Sequence, residues 1–110
     1  MDRYHLWFDL RPGARDLDLA DAVRAYLDHL RGEGLLASWS LCRRKLGFGP
    51  AELGEFHVEI RAEGLAQLEA CFQEVARRDG ETEGLHAAVW SRVAGLRTAL
   101  YRDFPDPVRA

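Results

Sequence analysis

The groups in this chain best suited to chemistry are four histidines, two cysteines and carboxylates set among them. Two histidines stand at alternating positions with aromatic and charged residues: His5, Trp7 and Asp9 near the start, and His57, Glu59 and Arg61 in the middle. A spacing of two is the spacing of one strand face. A carboxylate bonded to one imidazole nitrogen fixes the tautomer and favours the charged form, which equips a histidine as a general base. The catalytic pair expected on this basis is His57 oriented by Asp9. Arg61 or Arg43 would hold an anionic substrate group, and Trp7 and Tyr101 would wall a flat apolar one, with His5 and Glu59 completing the lining. The same residues also read as an interfacial polar network joining two subunits, because ion-pair networks shape such faces too.

A metal reading takes His5, His57 and Glu59 as ligands with Asp9 beside them, since imidazole and carboxylate suit zinc or iron. No His-Glu-x-x-His run or similar short ligand motif occurs, so neither a metal nor a cofactor is assigned. His29 and His86 fall on expected helices and read as surface or packing residues. Cys42 and Cys71 lie in separate elements without metal-type spacing and read as small apolar residues, while the sequence leaves a disulfide between them open. Gly47-Phe48-Gly49-Pro50 joins two expected strands and lacks the helix amino terminus that a phosphate loop needs. It reads as a hairpin connection.

Positioning these groups requires a sheet. Tyr4 to Leu10 alternates as a strand and closes at Arg11-Pro12-Gly13. Leu19, Ala22, Val23, Tyr26, Leu27 and Leu30 then follow the spacing of an amphipathic helix over Asp18 to Glu33. Asp16 or Asp18 would accept from its first-turn amides, and Gly34 would stop it. Ser38 to Phe48 and Gly54 to Glu63 read as strands, the first an edge strand of open register. Leu65, Leu68, Phe72, Val75 and Ala76 mark a second helix ending near Gly80. Thr82 would cap a third that carries Leu85, Ala88, Val89 and Val93 and is interrupted by Gly95. Leu96 to Phe104 fits helix or strand, and a strand is favoured because the sheet needs a fourth member.

This order predicts an α+β, ferredoxin-like β-α-β-β-α-(α)-β fold: a four-stranded antiparallel sheet in the order 4-1-3-2 with helices on one side. One domain covers residues 1–104, and Pro105-Asp106-Pro107 opens a tail over 105–110. Tyr4, Leu6, Phe8, Phe56, Val58 and Ile60 would face the helices. His5, Trp7, Asp9, Glu55, His57, Glu59, Arg61 and Tyr101 would face away. The assumed strand pairing sets Asp9 near His57 and His5 near Arg61, with Trp7 and Glu59 between.

Composition limits the partners. A chain of 110 residues, 47% apolar and 30% charged, fits one folded domain. Its net charge of −3 argues against nucleic acid, and the basic run Arg43-Arg44-Lys45 is too short to reverse that. Its apolar runs are too short to span a bilayer, so no membrane partner is expected. No signal peptide precedes Tyr4, and two cysteines suit a reduced, cytoplasmic protein.

Three segments carry a resemblance: Tyr4-His5-Leu6-Trp7-Phe8-Asp9-Leu10-Arg11-Pro12-Gly13, Arg43-Arg44-Lys45-Leu46-Gly47-Phe48-Gly49-Pro50 with Gly54-Glu55-Phe56-His57, and Leu100-Tyr101-Arg102-Asp103-Phe104-Pro105-Asp106-Pro107. With them the chain resembles, over nearly its whole length, a family of short uncharacterised bacterial proteins. That family has no assigned activity and implies no catalytic residue. The element order is also similar to the dimeric α/β-barrel superfamily, in which two ferredoxin-like sheets pack face to face. The superfamily includes cofactor-independent monooxygenases, small-ligand-degrading enzymes and stress-responsive proteins, and fold alone does not choose among them. The resemblance implies a homodimer that buries Trp7 and Tyr101 under a partner sheet, across about 800 Å² per partner.

Two functions are therefore expected. One is binding of a small aromatic or anionic molecule, extending to cofactor-independent turnover, in a cleft on the helix-free face of a homodimer. The other is a non-catalytic assembly or regulatory module whose polar face serves dimerisation only. Whether the chain is an enzyme stays open. A pocket at an unsatisfied His57 favours the first, and a face with every polar group paired favours the second.

Overall fold

The computed structural model describes residues 1–108, so residues 109 and 110 of the expected tail lie outside the described residues. The strands are β1 (Asp2–Leu10), β2 (Ser38–Arg43), β3 (Phe56–Ala62) and β4 (Val93–Arg102), and the helices are α1 (Asp16–Gly32), α2 (Leu65–Ala76) and α3 (Gly80–Trp90). The sheet is antiparallel in the order β2-β3-β1-β4, which is the expected order read from its other edge. Residues from Val93 onward form a strand, resolving the ambiguity of that segment.

Alternation in β1 and β3 divides the molecule. Leu6, Phe8, Phe56, Val58 and Ile60 are buried beneath Leu19, Val23, Tyr26, Leu27 and Leu30 of α1, Cys71 of α2 and Val89 of α3. The slab measures 45 × 38 × 17 Å, thin because helices cover one side of the sheet only. This flatness accounts for a radius of gyration of 14.5 Å, above the roughly 13 Å of a rounder chain of this size.

Four local expectations are corrected. β2 ends at Arg43 instead of Phe48, because Leu46 and Gly47 adopt positive φ (57° and 71°) that a ladder cannot continue. α1 begins at Asp16, two residues before the expected start, while the expected acceptor role holds: Asp16 Oδ1 takes the Leu17 amide (2.7 Å), and the charges of Asp16 and Asp18 suit the helix dipole. Thr82 is buried within α3 and does not cap it. Its hydroxyl donates to Glu74 Oε1 (3.2 Å) and accepts from His29 Nε2 (2.9 Å), which ties the three helices together. Gly95 interrupts no helix: it sits in β4 at φ 67°, beside the register shift between Trp7 and Asp9. Gly34 does terminate α1, at φ 76°, as its position predicts.

Candidate functional site

Strand pairing sets the helix-free face out in rows across β2, β3, β1 and β4. One row reads Ser38, Arg61, Arg3, Tyr101; the next reads Ser40, Glu59, His5, Ala99; the third reads Cys42, His57, Trp7, Arg97. The rows differ in how completely their polar groups are satisfied.

The first row and Glu59 are closed. Arg3 donates from Nε to Asp103 Oδ1 (2.7 Å) and from Nη1 to Glu59 Oε2 (3.0 Å). Arg61 donates from Nη1 to the same Glu59 oxygen and from Nε to Ser38 Oγ (2.6 Å). Burial opposes ionisation of Glu59, but bonds from Arg61 and Arg3 prevail and hold its carboxyl below the ordinary range.

From Glu59 a chain of polar contacts leads to the third row. Glu59 Oε1 lies 3.6 Å from His5 Nε2, and His5 Nδ1 lies 2.8 Å from His57 Nε2. The two imidazole planes are 6° apart, and this nitrogen-to-nitrogen distance makes the contact an edge-to-edge hydrogen bond. The carboxylate favours the His5 proton on Nε2, which leaves His5 Nδ1 to accept from His57 Nε2–H. By this logic His57 Nδ1 is an open acceptor, and it has no hydrogen-bond partner among the described residues. Burial first, and His5 second, depress the affinity of His57 for a proton against the pull of Glu59, so the ring is neutral at pH 7. Trp7 stacks on His57 at 5.0 Å between centroids, and Tyr101 meets His5 edge-on at 5.1 Å.

Beside His57 and Trp7 opens a cleft of about 230 Å³ whose other walls are Cys42, Arg43 and the loop from Arg44 to Glu55. Arg44 organises that loop by donating from Nη2 to the carbonyls of Pro50 (3.0 Å) and Leu53 (2.5 Å). Gly54 closes it against β1: a Cβ there would fall 2.3 Å from the Phe8 carbonyl carbon, so only glycine fits. Among the described residues neither Arg44 nor Arg97 pairs with a carboxylate. The cleft is thus bordered by one guanidinium without a carboxylate partner, Arg44, while Arg97 stands on the other side of Trp7 on β4.

The expected Asp9–His57 contact is absent. The strand pairing is displaced by two residues from the expected one: Trp7 stands opposite His57, His5 opposite Glu59 and Arg3 opposite Arg61. Asp9 instead accepts from the Glu55 amide (2.8 Å), and His5 occupies the orienting position beside His57. Arg61 and Arg43 are both engaged by carboxylates, Arg43 by Asp16 (3.0 Å) and by Glu55. Sequence reasoning missed Arg3, which lies ahead of the expected strand start, and Arg97, hidden in an ambiguous segment. It saw Arg44 only as part of a basic run. Glu59, His5 and His57 form a line with His5 in its middle, and among the described residues no three His, Cys, Asp or Glu side chains converge as a metal site. Both cysteines are free: Cys42 is exposed at the cleft, and Cys71 is buried, its thiol pushed up to about 11 by burial and then by Glu74.

Among the described residues no helix is long and apolar enough to cross a membrane. The chain belongs to a family of unknown function, DUF6614, whose model matches residues 1–110. No curated protein sequence matches it. Its fold is similar to that of the Arabidopsis thaliana protein At3g17210, with a TM-score of 0.74 at 7% identity over 96% of this chain and 98% of that one. A dimeric ferredoxin-like protein of unknown function from Thermobifida fusca aligns with a TM-score of 0.58 at 16% identity over 91% of this chain and 88% of its own. An antibiotic biosynthesis monooxygenase aligns with a TM-score of 0.61 at 17% identity over 96% of this chain and all of the other (100%). At such identities the likeness is one of fold, and that fold is the expected ferredoxin-like α+β.

Proposed function

We propose that this DUF6614 member forms a homodimer through its helix-free sheet faces and binds a small, flat, anionic molecule in the cleft beside His57. The observation that carries the reading is the unpartnered Nδ1 of a neutral His57, stacked on Trp7 beside a cleft that Arg44 borders. Trp7 offers a ring face to an aromatic body, and the Arg44 guanidinium attracts its charge. The ligand proton that chemistry would move goes to His57 Nδ1. The resulting imidazolium is then stabilised by Glu59 through His5, the geometry of cofactor-independent proton transfer.

The dimer rests on a separate observation. Tyr101 is 60% exposed on this face, and Leu46 and Phe48 at the loop tip are 79% and 82% exposed. A partner sheet would cover these groups, as the dimeric neighbours suggest. The closed row of Arg3, Glu59 and Arg61 suits that interface, because its polar groups enter it already paired. Two free thiols suit the cytoplasmic setting assigned to it.

The test compares 4-hydroxybenzoate with benzoate by calorimetry on the wild-type dimer and on His57→Ala. The phenol O–H can donate to His57 Nδ1, so 4-hydroxybenzoate should bind the wild type more tightly than benzoate does, and His57→Ala should lose that advantage while sedimenting as a dimer. An advantage that survives in His57→Ala, or a variant that dissociates into monomers, removes His57 from a ligand site.

A further inference from the structure

The two edges of the sheet are built differently. β2, at one edge, has six residues and ends in Arg43, which Asp16 and Glu55 hold. Trp39 ties the same strand to α1 by donating to Asp28 (2.8 Å). Short strands and charges are what keep a bare edge from pairing with another chain. β4, at the other edge, has ten residues, and its one irregularity lies near its start at Gly95. Beyond Arg97 it presents Thr98-Ala99-Leu100-Tyr101 without a charge.

One bond fixes the direction of the free groups on β4. The Asp103 amide donates to the Met1 carbonyl (3.1 Å), in register with the ladder that sets Arg3 opposite Tyr101. Bonded and non-bonded pairs alternate in an antiparallel ladder, so Tyr101, Ala99 and Arg97 turn their amides and carbonyls toward β1. Thr98 and Leu100 therefore turn theirs outward, along an edge that no strand of this chain covers. Their side chains share the helix side with Leu6 and Tyr4, their partners on β1. The helix layer falls short there: Leu96 and Leu100 are 41% and 51% exposed, and Phe72 and Leu65 of α2 beside them are 45% and 65% exposed.

We infer that β4 pairs antiparallel with β4 of a second copy of this chain, about a twofold axis at Thr98, making one sheet of eight strands. The position of the axis follows from what it brings face to face. Centred on Arg97, it would oppose two guanidinium groups; centred on Ala99, it would set Leu96 against the copy's Arg102. Centred on Thr98, it sets each Leu96 against the copy's Leu100 and each Arg97 against the copy's Ala99, so no like charges meet. This pairing closes on itself, because both edges left on the joined sheet are the guarded β2. Pairing of β4 with β2 would leave a bare β4 at every step and grow without end. The contact uses neither the helix-free face nor the His57 cleft, so it stands apart from the function proposed above. A strand edge buries less than a sheet face, so the edge pairs at higher protein concentration than the face does.

The test is sedimentation of the full chain over a concentration series, with Thr98→Lys and Thr98→Glu beside the wild type. Thr98 is exposed, so both variants should keep the wild-type unfolding midpoint, yet each sets two like charges together on the axis. The wild-type mass should double as concentration rises, while each variant alone stays at the mass of the dilute wild type. An equal mixture of the two variants should double again, because opposite charges then meet on the axis. The doubling runs from two chains to four where the helix-free faces pair, and from one to two where they do not, so the two readings fail separately. The Thr98 and Leu100 amides should slow their hydrogen exchange over the same concentrations. A wild-type mass that never doubles, variants that double alone, or a mixture that does not double overturns the assignment. Thr98 and Leu100 amides that exchange freely in the concentrated wild type overturn it as well.

Discussion

On the helix-free side of the sheet, the histidines are joined to a charge: Glu59 faces His5, His5 meets His57, and the free nitrogen comes out beside a polar cleft. On the helix side, His86 and Trp90 pack against each other, and the buried indole N–H has no hydrogen-bond partner among the described residues. The first arrangement has its tautomers fixed by a carboxylate and leaves one acceptor nitrogen open. The second holds a neutral imidazole whose proton affinity burial lowers. Both arise from one strand pattern, since Trp7 and Phe8 are neighbours in sequence and point to opposite sides.

The largest expected effect separates the two faces. Phe8 is 1% exposed, and Phe8→Ala should lower unfolding stability by about 3–5 kcal/mol in urea titrations. Trp7→Ala should change monomer stability far less, but weaken the dimer by about 2 kcal/mol in sedimentation. Equal losses of fold stability in the two variants would erase the distinction between core and interface. Next in size is Glu59→Gln, which leaves Arg3 and Arg61 facing an uncharged amide and should cost about 1–3 kcal/mol by chemical denaturation.

The pH dependence sharpens the same contrast. His57 and His86 both have proton affinities lowered by folding, so the unfolded chain binds protons first as pH falls. Stability should be full above the ordinary histidine range and decline as pH drops through it. A further decline should follow in the carboxylate range as Glu59 protonates. Denaturation curves across that span should show both steps, and His57→Asn should reduce the first without abolishing it. The smallest effect is assigned to Asp9→Ala. Losing one bond to the Glu55 amide should cost about 1 kcal/mol or less and leave the His57 titration unchanged.

The segregation of faces was legible in the sequence because period two leaves no freedom: once Tyr4 to Leu10 is a strand, Leu6 and Phe8 lie together and His5 and Trp7 lie opposite. Pairing register was not. A slide of two residues keeps every side chain on its own face, so alternation cannot distinguish Asp9 beside His57 from Trp7 beside His57. The strand actually begins at Asp2, and Arg3 takes the place opposite Arg61 that the expected pairing assigned to His5. Gly95 misled for a related reason, since a glycine within an apolar run breaks a helix and permits a bulge equally well. Nothing in the helical spacing of His86 and Trp90 signals the unmet indole N–H, because an orphaned donor is a property of packing and leaves no period behind.

The most direct test of the account is a long-range ¹H–¹⁵N spectrum of the imidazole rings of the wild-type protein at neutral pH. His57 should be neutral with its proton on Nε2 and an unprotonated Nδ1, and it should gain a proton only below the ordinary histidine range of about 6.5. A His57 that carries its proton on Nδ1, or that is already an imidazolium at pH 7, would contradict the line running from Glu59 through His5 to the cleft.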